Sequence, residues 1–480
     1  MESILEQTTR RTLQETGETL LPHKDNTLQN GVLYPAQLLT QLGDVSRSNL
    51  FLWTEASLRL GERLNRLAPV GLPVSRSLVL ATVAADLLSG YLTLQQRSRW
   101  LPWLVSSRDW ELQHERGANR LLDTAASLGG ALIKAGQFAS TRPDLLPAIY
   151  IQRLSRLQDN MTPLDWPTIQ QAMLRELGRP LEEVFSRVEH SPVAAASLAQ
   201  VHRAWLKDGR AVAVKILYPQ VKQLVEADLK MLSRAADTIS RISPNMQLQS
   251  IVEFLKETLP LELNLRREAV MMEELREALA HREDVIVPAS FPEFSTERML
   301  VMEFIEGIKV TERSALEAAG INPSEVVRLL NELYAEQVFQ NHLLHADPHP
   351  GNLLVQPGPR IVILDHGLTV RLTPAMAKAM GDMVKALVEG DFDALGQALS
   401  SAGLKLVEGV DVITLLQVVG VIFGAGENKD VVEVGTKLGT SVGQIPVDLL
   451  LVGRALGMLN GIGLQLDPEQ DTLETVVKYV

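Results

Sequence analysis

One stretch constrains this chain more than any other. It runs His345-Ala346-Asp347-Pro348-His349-Pro350-Gly351-Asn352, and Asp365-His366-Gly367 follows. Between them lie Leu353-Leu354-Val355, the turn formers Gln356-Pro357-Gly358-Pro359, and Arg360-Ile361-Val362-Ile363-Leu364. Two apolar, β-prone runs joined by Pro and Gly predict a hairpin that delivers Asp365 to a loop just after a strand. A fold that uses this stretch gathers an Asp, an Asn five residues on, and a second Asp in a D-x-G turn. Kinase-type phosphoryl transfer needs those parts. One carboxylate orients or deprotonates the nucleophile, and an Asn and an Asp hold magnesium on the nucleotide phosphates. Asp347 is the candidate catalytic residue, and Asn352 and Asp365 are the candidate metal ligands.

Composition excludes several alternatives. The chain has 480 residues, 46% of them hydrophobic, enough for a large core and against low-complexity disorder. A net charge of −12 opposes nucleic-acid binding, which needs a basic footprint. With no cysteine, thiolate catalysis, disulfides and cysteine-ligated zinc are excluded. The acidic opening Met1-Glu2-Ser3-Ile4-Leu5-Glu6 does not read as a secretory signal or a transit peptide. The most apolar windows, Ser77 to Leu94 and Val412 to Gly424, contain Asp86 or are short, so no transmembrane helix is expected.

The pattern divides the chain. Residues 1–110 read as helices broken by loops such as Leu67 to Pro73, and they hold Trp53, Trp100, Trp103 and Trp110. Arg97-Ser98-Arg99-Trp100-Leu101-Pro102-Trp103-Leu104 has the chemistry of a membrane interface. Packing of those aromatics on the rest of the protein is the blander and favoured alternative. Residues 111–185 read as all-helical, with one helix from Leu121 to Ser140. Residues 186–307 bring short β-runs, Leu198 to Trp205 and Ala211 to Leu217, about the turn Lys207-Asp208-Gly209-Arg210. A helical stretch from Val221 to His281 and a strand from Met299 to Phe304 follow. Residues 308–480 read as helical from Pro323, apart from the hairpin around Gly358. The fold class is therefore α+β. It is a bilobal protein-kinase-like fold, with a small antiparallel sheet in the N-lobe, a mainly helical C-lobe and an N-terminal helical extension.

Further residues fit that chemistry. Val212-Ala213-Val214-Lys215 places a lysine at the end of an apolar strand, where it can neutralise phosphates. Glu268 is the carboxylate chosen to hold it, against the ordinary fate of a solvated helix charge. Met302-Glu303-Phe304-Ile305-Glu306-Gly307 fits the hinge whose backbone, at Glu303 and Ile305, meets the adenine edge. His345 and His349 stand four apart, but Pro348 and Pro350 oppose a helix, so a zinc pair is not expected.

Two absences count against a conventional protein kinase. No G-x-G-x-x-G precedes Lys215; Val193-Ala194-Ala195-Ala196-Ser197 stands there, and alanine does not visit positive φ as glycine does. After Asp365-His366-Gly367 the chain runs through Leu368 to Pro374 into a helix, with Thr373 as its expected N-cap. That leaves little room for a loop that docks a peptide.

Together these residues resemble the UbiB family of atypical kinase-like proteins, over roughly Gly117 to Gly367. Leu132-Ile133-Lys134-Ala135-Gly136-Gln137 is similar to the family's K-x-G-Q motif, and Ala194 to Ser197, with Gln200-Val201-His202, to its Ala-rich loop. Glu262-Leu263-Asn264 stands where the family has E-x-D, with Glu268 at the lysine-pairing position. The resemblance implies an extension, led by Lys134 and Gln137 and facing Glu262 and Asn264, laid over the site. It implies ATP and Mg2+ as cofactors, with Ala194, Ala195, Ala196 and Ser197 over the nucleotide. It further implies kinase or ATPase activity in support of ubiquinone or other prenylquinone lipid metabolism. Expected partners are nucleotide, lipid or prenylquinone-pathway proteins and a membrane surface, with no nucleic acid; a homodimer is allowed. The implied location is peripheral, on the cytoplasmic side of a bacterial membrane, or alternatively in a plastid or mitochondrion. Two departures stand out. Asn264 replaces an Asp, and His366 replaces the more frequent Phe. Two other readings stay open: a small-molecule phosphotransferase of the aminoglycoside or choline kinase type, and a catalytically silent scaffold that binds nucleotide and lipid.

Overall fold

The computed structural model describes residues 73–140, 146–157, 163–242, 248–404, 416, 419–420, 446–468 and 472–480. The acidic opening, Trp53, segment 141–145 and nearly all of the apolar window 412–424 lie outside the described residues.

Helices come first: α1 (Pro73–Trp100), α2 (Ser107–Leu128), α3 (Ala131–Ser140), α4 (Ala148–Leu154), α5 (Trp166–Leu177) and α6 (Leu181–Val184). The apolar window from Ser77 to Leu94 is the body of α1. Its one acid, Asp86, is buried and pairs with Arg116 at 3.2 Å and Arg120 at 3.5 Å on α2. A buried charge in an apolar run is thereby compensated within the protein. The single helix expected from Leu121 to Ser140 is corrected. It breaks at Gly129 and Gly130, whose φ values of 66° and 63° are cheap for glycine. The apolar period continues across the break, which hides it in the sequence.

The N-lobe sheet holds β1 (Phe185–Val188), β2 (Ala194–Ala195), β3 (Ala199–Leu206) and β4 (Ala211–Leu217). Three helices follow: α7 (Val221–Ile242), α8 (Leu248–Glu262) and α9 (Leu265–Ala278). Strands β5 (Val285–Ile286) and β6 (Met299–Glu303) come next. The sheet order is β1-β3-β4-β6, antiparallel throughout, with β2 paired to β3. The helix expected from Val221 to His281 is thus divided. Asn264 ends it locally, because its side chain accepts from Arg267 N at 3.0 Å and caps α9 anew. Helix α3 packs on α7 and α8, and Phe138 stacks on Phe254 with centroids 3.6 Å apart. Burial of these faces removes apolar area from water, the main favourable term of the docking.

The second half holds β7 (Ile308–Lys309), α10 (Arg313–Ala318), α11 (Pro323–Phe339), β8 (Leu343–His345), β9 (Leu353–Gln356), β10 (Arg360–Ile363) and β11 (Thr369–Arg371). It closes with α12 (Pro374–Glu389), α13 (Phe392–Ser401), α14 (Val447–Leu466) and α15 (Thr472–Val477). The expected hairpin is β9–β10, with Arg360 opposite Gln356 and Ile363 opposite Leu353. Thr373 caps α12 as expected, accepting from Met376 N at 3.2 Å. Strands β8 and β11 were not foreseen; each has three residues, too few to show alternation. Among the described residues, α14 alone is long and apolar enough to cross a membrane by length and composition. It packs on α11 and buries Leu449, Leu451, Val452, Ala455 and Leu459.

Candidate active site

Lys215 owes its position to the pleat of β4. Val214 and Ile216 point to one buried face, so Lys215 between them points to the other, in register with Val201 and Leu300. There it meets α9. Its Nζ donates to Glu268 Oε1 at 2.8 Å and Oε2 at 2.9 Å, and to Asp365 Oδ2 at 2.8 Å. Glu268 lies in the first turn of α9, where the helix dipole favours an anion. It is buried, 1% exposed, and burial raises its pKa to about 7 while Lys215 pulls against that rise. Lys215 is held protonated by Asp365 and Glu268 against desolvation, and Asp365 is held ionised by Lys215.

The loop after β8 is stitched to the D-x-G turn. Ala346 N donates to Leu368 O at 3.2 Å, and Leu364 N donates to Asn352 O at 2.8 Å. His345 Nε2 lies 2.8 Å from Asp365 O, which can only accept, so Nε2 carries the proton. Nδ1 then accepts from Tyr334 Oη at 2.8 Å. A neutral, buried imidazole fits its lowered pKa, which burial causes. Asn352 Nδ2 donates to Asp347 O at 3.1 Å, which turns Oδ1 the other way. Asp365 Oδ1 accepts from Gly367 N at 3.1 Å, the D-x-G turn itself. Asp347 Oδ1 accepts from Arg454 Nη2 of α14 at 2.8 Å. The site thus gathers Lys215, Glu268, Asp365, Asp347 and Asn352 from β4, α9 and two loops.

His366, at the place of the more frequent Phe, is fully buried. Its Nε2 donates to Ile363 O at 3.3 Å, and Nδ1 accepts from Thr369 Oγ1 at 3.4 Å. Burial lowers its pKa to about 3. The exposed His349 accepts from Gly351 N at 3.1 Å, so the two histidines of this loop serve separate local bonds.

The extension reaches the same place. Lys134 on α3 pairs with Glu262, the last residue of α8, at 3.0 Å. Burial raises the Glu262 pKa and Lys134 opposes the rise. Gly136 is needed by close approach, since a Cβ there would lie 2.2 Å from Leu157 Cδ1. Gln137 Nε2 donates to Leu157 O at 3.2 Å, so this side chain bonds the extension's own backbone. Asn264 gives its side-chain oxygen to the α9 cap.

The Ala-rich segment is more regular than a loop. Ala194 and Ala195 are β2, and Ala196 N donates to Ala199 O at 2.8 Å in a tight turn. That amide is already committed, unlike the open amides of a glycine-rich loop. Ser197 is buried, and its Oγ has no partner among the described residues. Glu303, at the end of β6, donates its N–H to Ala289 O at 2.9 Å, and Ile305 lies half-buried just beyond.

Three residues were missed in the sequence. Arg267 donates to Gly367 O at 3.1 Å and to Thr369 O at 2.8 Å, pinning the segment after the D-x-G turn to α9. With β11 following at once, that segment is a strand and not a loop. Tyr334 supports His345 from α11. Arg454 meets Asp347, and its one sequence signal is that α14 carries no charge but Asp448 and Arg454.

Comparison with known proteins agrees with this geometry. The ABC1 atypical kinase-like domain family matches residues 156–399. "AarF domain-containing protein kinase 1" of Xenopus tropicalis is 36% identical over 283 residues, 58% of this chain and 54% of that one. "Probable protein kinase UbiB" of Shewanella pealeana is 32% identical over 387 residues, 76% of this chain and 69% of that one. The chain spans about half the length of the AarF-domain relatives. A solved chain described as the Rv3197–erythromycin complex of Mycobacterium tuberculosis aligns at 24% identity with a TM-score of 0.48, covering 75% of this chain and 98% of that one. The kinase-like arrangement of sheet, helical lobe and D-x-G turn, and the match over half the chain, agree: this protein belongs to the ABC1 atypical kinase-like family, in which the UbiB proteins stand.

Proposed function

We propose that this protein is an Mg-ATP-dependent atypical kinase or ATPase. The observation that carries the reading is the bridge from Lys215 to both Glu268 and Asp365 at 2.8 Å, with Asp365 joined to Asp347 and Asn352 by the β9–β10 hairpin. Glu268 keeps Lys215 in place when Asp365 is drawn elsewhere, and Lys215 then neutralises nucleotide phosphate. Asp347 accepts the hydrogen of the attacking hydroxyl or water and orients it. The Asn352 amide oxygen and the Asp365 carboxylate are hard oxygen donors, the type magnesium takes, and they would hold it. Magnesium bound there supplies charge neutralisation on the transferring phosphoryl group. The hinge residues Glu303 and Ile305 would meet the adenine, and Ala194 to Ser197 would lie over the phosphates.

The acceptor is a small molecule or water. Arg267 and β11 occupy the room that a peptide-docking loop would need. The resemblance of the Lys134 and Ala194–Ser197 motifs to those of the UbiB family favours a task in prenylquinone metabolism. A membrane surface fits Trp100 and Trp103, which are 74% and 73% exposed beside Arg97 and Arg99. The Lys134–Glu262 contact then gates the site, and lipid contact at the extension releases it. Hydrolysis rates that stay flat across liposome compositions would remove the gating claim.

The central test is Asp365→Asn. It should lower Mg-ATP hydrolysis by about 10³-fold, because a metal ligand and a partner of Lys215 are lost together. Wild-type protein that hydrolyses no faster than this variant would leave the scaffold reading in place.

A further inference from the structure

Arg454 stands apart from the other cations of the site. It comes from α14, an apolar helix whose only other charge is Asp448. Its side chain is 14% exposed, as is that of its partner Asp347. A guanidinium this deep costs desolvation unless it is paired, and among the described residues the carboxylate it pairs with is Asp347. The contact is to a single oxygen, Oδ1. A guanidinium carries several N–H donors in a planar fork that matches phosphate oxygens two at a time.

The charges of the site also sort into pairs. Lys134 meets Glu262, Lys215 meets Glu268 and Asp365, and Arg454 meets Asp347. Lys215 keeps Glu268 whatever Asp365 does. Arg454 has no such second carboxylate among the described residues, so its pairing can be exchanged for another anion.

Geometry says which anion. A nucleophile oriented by Asp347 lies within about 2.6–3.2 Å of that carboxylate. The phosphoryl group under attack touches the nucleophile. Arg454, already on the same carboxylate, therefore neighbours the phosphoryl oxygens. We propose that Arg454 is the positioning residue for the transferable phosphate. It pairs with Asp347 and turns to the terminal phosphate of a bound nucleoside triphosphate, which leaves Asp347 to the nucleophile. On this view α14 completes the active site. The proposal rests on the Mg-ATP reading above.

The test uses the full chain with Arg454→Gln and Arg454→Lys. Calorimetry with Mg-ADP and with the non-hydrolysable Mg-AMP-PNP measures the preference for a terminal phosphate, and hydrolysis of Mg-ATP measures turnover. Arg454→Gln should keep ADP affinity within about two-fold, abolish the preference for AMP-PNP over ADP, and lower kcat by about 100-fold, the effect of losing one preorganised donor to a developing oxyanion. Arg454→Lys keeps the charge without the fork and should recover part of the preference. A merely structural arginine would lower Tm and weaken both nucleotides alike; that result overturns the proposal. So does an unchanged or raised kcat with the preference intact, the raised rate marking Arg454 as a restraint on Asp347. If the wild type hydrolyses no faster than Asp365→Asn while Arg454→Gln still loses the AMP-PNP preference, the hydrolysis reading fails and the phosphate contact stands. Should the glutamine variant not fold, the lysine variant's binding ratio decides alone.

Discussion

Helices α3 and α14 each bring one cation to a carboxylate of the site, but they are held there in different ways. Helix α3 is seated by shape. Gly136 lets Leu157 approach to a distance no side chain would tolerate, Phe138 stacks on Phe254, and Gln137 bonds the Leu157 carbonyl. Helix α14 is seated by apolar burial, with Leu449, Val452 and Ala455 fully buried, and not by a glycine contact. A Cβ on its Gly463 would find Val327 at 3.5 Å, an ordinary contact, and one on Gly461 would find open space. Their targets differ too. Lys134 pairs with Glu262, which is outside the Asp347–Asn352–Asp365 set, whereas Arg454 sits on Asp347 itself. A tightly fitted helix on a peripheral carboxylate suits control of access. A helix whose arginine meets the central carboxylate suits the chemistry.

Glycine-to-alanine substitutions strain that contrast most. Gly136→Ala forces the buried Leu157 aside and should destabilise by about 1–3 kcal/mol, as overpacking does. Gly463→Ala should be neutral or stabilising by up to about 1 kcal/mol, because alanine is the better helix former. Denaturant melts of both variants give the comparison, and equal losses would show α14 to be as closely fitted as α3.

Lys134→Ala comes next in size. It leaves Glu262 without this cation in a site where burial already raises its pKa. The cost should be about 1–3 kcal/mol of stability. Turnover should change in the direction opposite to Arg454→Gln: a rate no lower than wild type, and no longer responsive to liposomes. Parallel losses of kcat in the two variants would erase the distinction between an access cation and a phosphate cation.

What the sequence disclosed follows from range. Asp347, Asn352 and Asp365 are legible because the hairpin between them is local, and turn formers at Pro357 and Gly358 fix it. Lys215 is legible because one charge interrupts the apolar face of β4. Glu268 needed more than spacing; its helix and its lysine are 53 residues apart, and only the motif order joined them. Arg454 is 107 residues from Asp347 and belongs to no local pattern, so nothing short-range announces it. The break between α2 and α3 was written in Gly129-Gly130 but masked by an apolar period that runs through it. Strands β8 and β11 are set by each other, Thr369 against His345 and Arg371 against Leu343, and not by their own three-residue sequences.

The smallest expected effect concerns His366, beneath the D-x-G turn. Burial, with His345 nearby, depresses its pKa to about 3, while in the unfolded chain it titrates near 6.5. It is therefore neutral in the folded protein when the unfolded chain begins to protonate. Its contribution to stability is complete above about pH 6.5 and is lost as pH falls toward 3, by up to about 1.4 kcal/mol per pH unit. Glu268, raised by burial, has the opposite sign, its contribution being lost as pH rises toward 7. The difference between wild type and His366→Phe removes that shared background. At neutral pH the ring exchange should change stability by less than about 1.5 kcal/mol, since volume is nearly kept and two long hydrogen bonds are lost. Below pH 6 the phenylalanine variant should lose stability more slowly than wild type. Parallel curves from pH 7 to pH 4.5 would mean that His366 is protonated in the folded state, and that the turn holding Asp365 carries an extra charge.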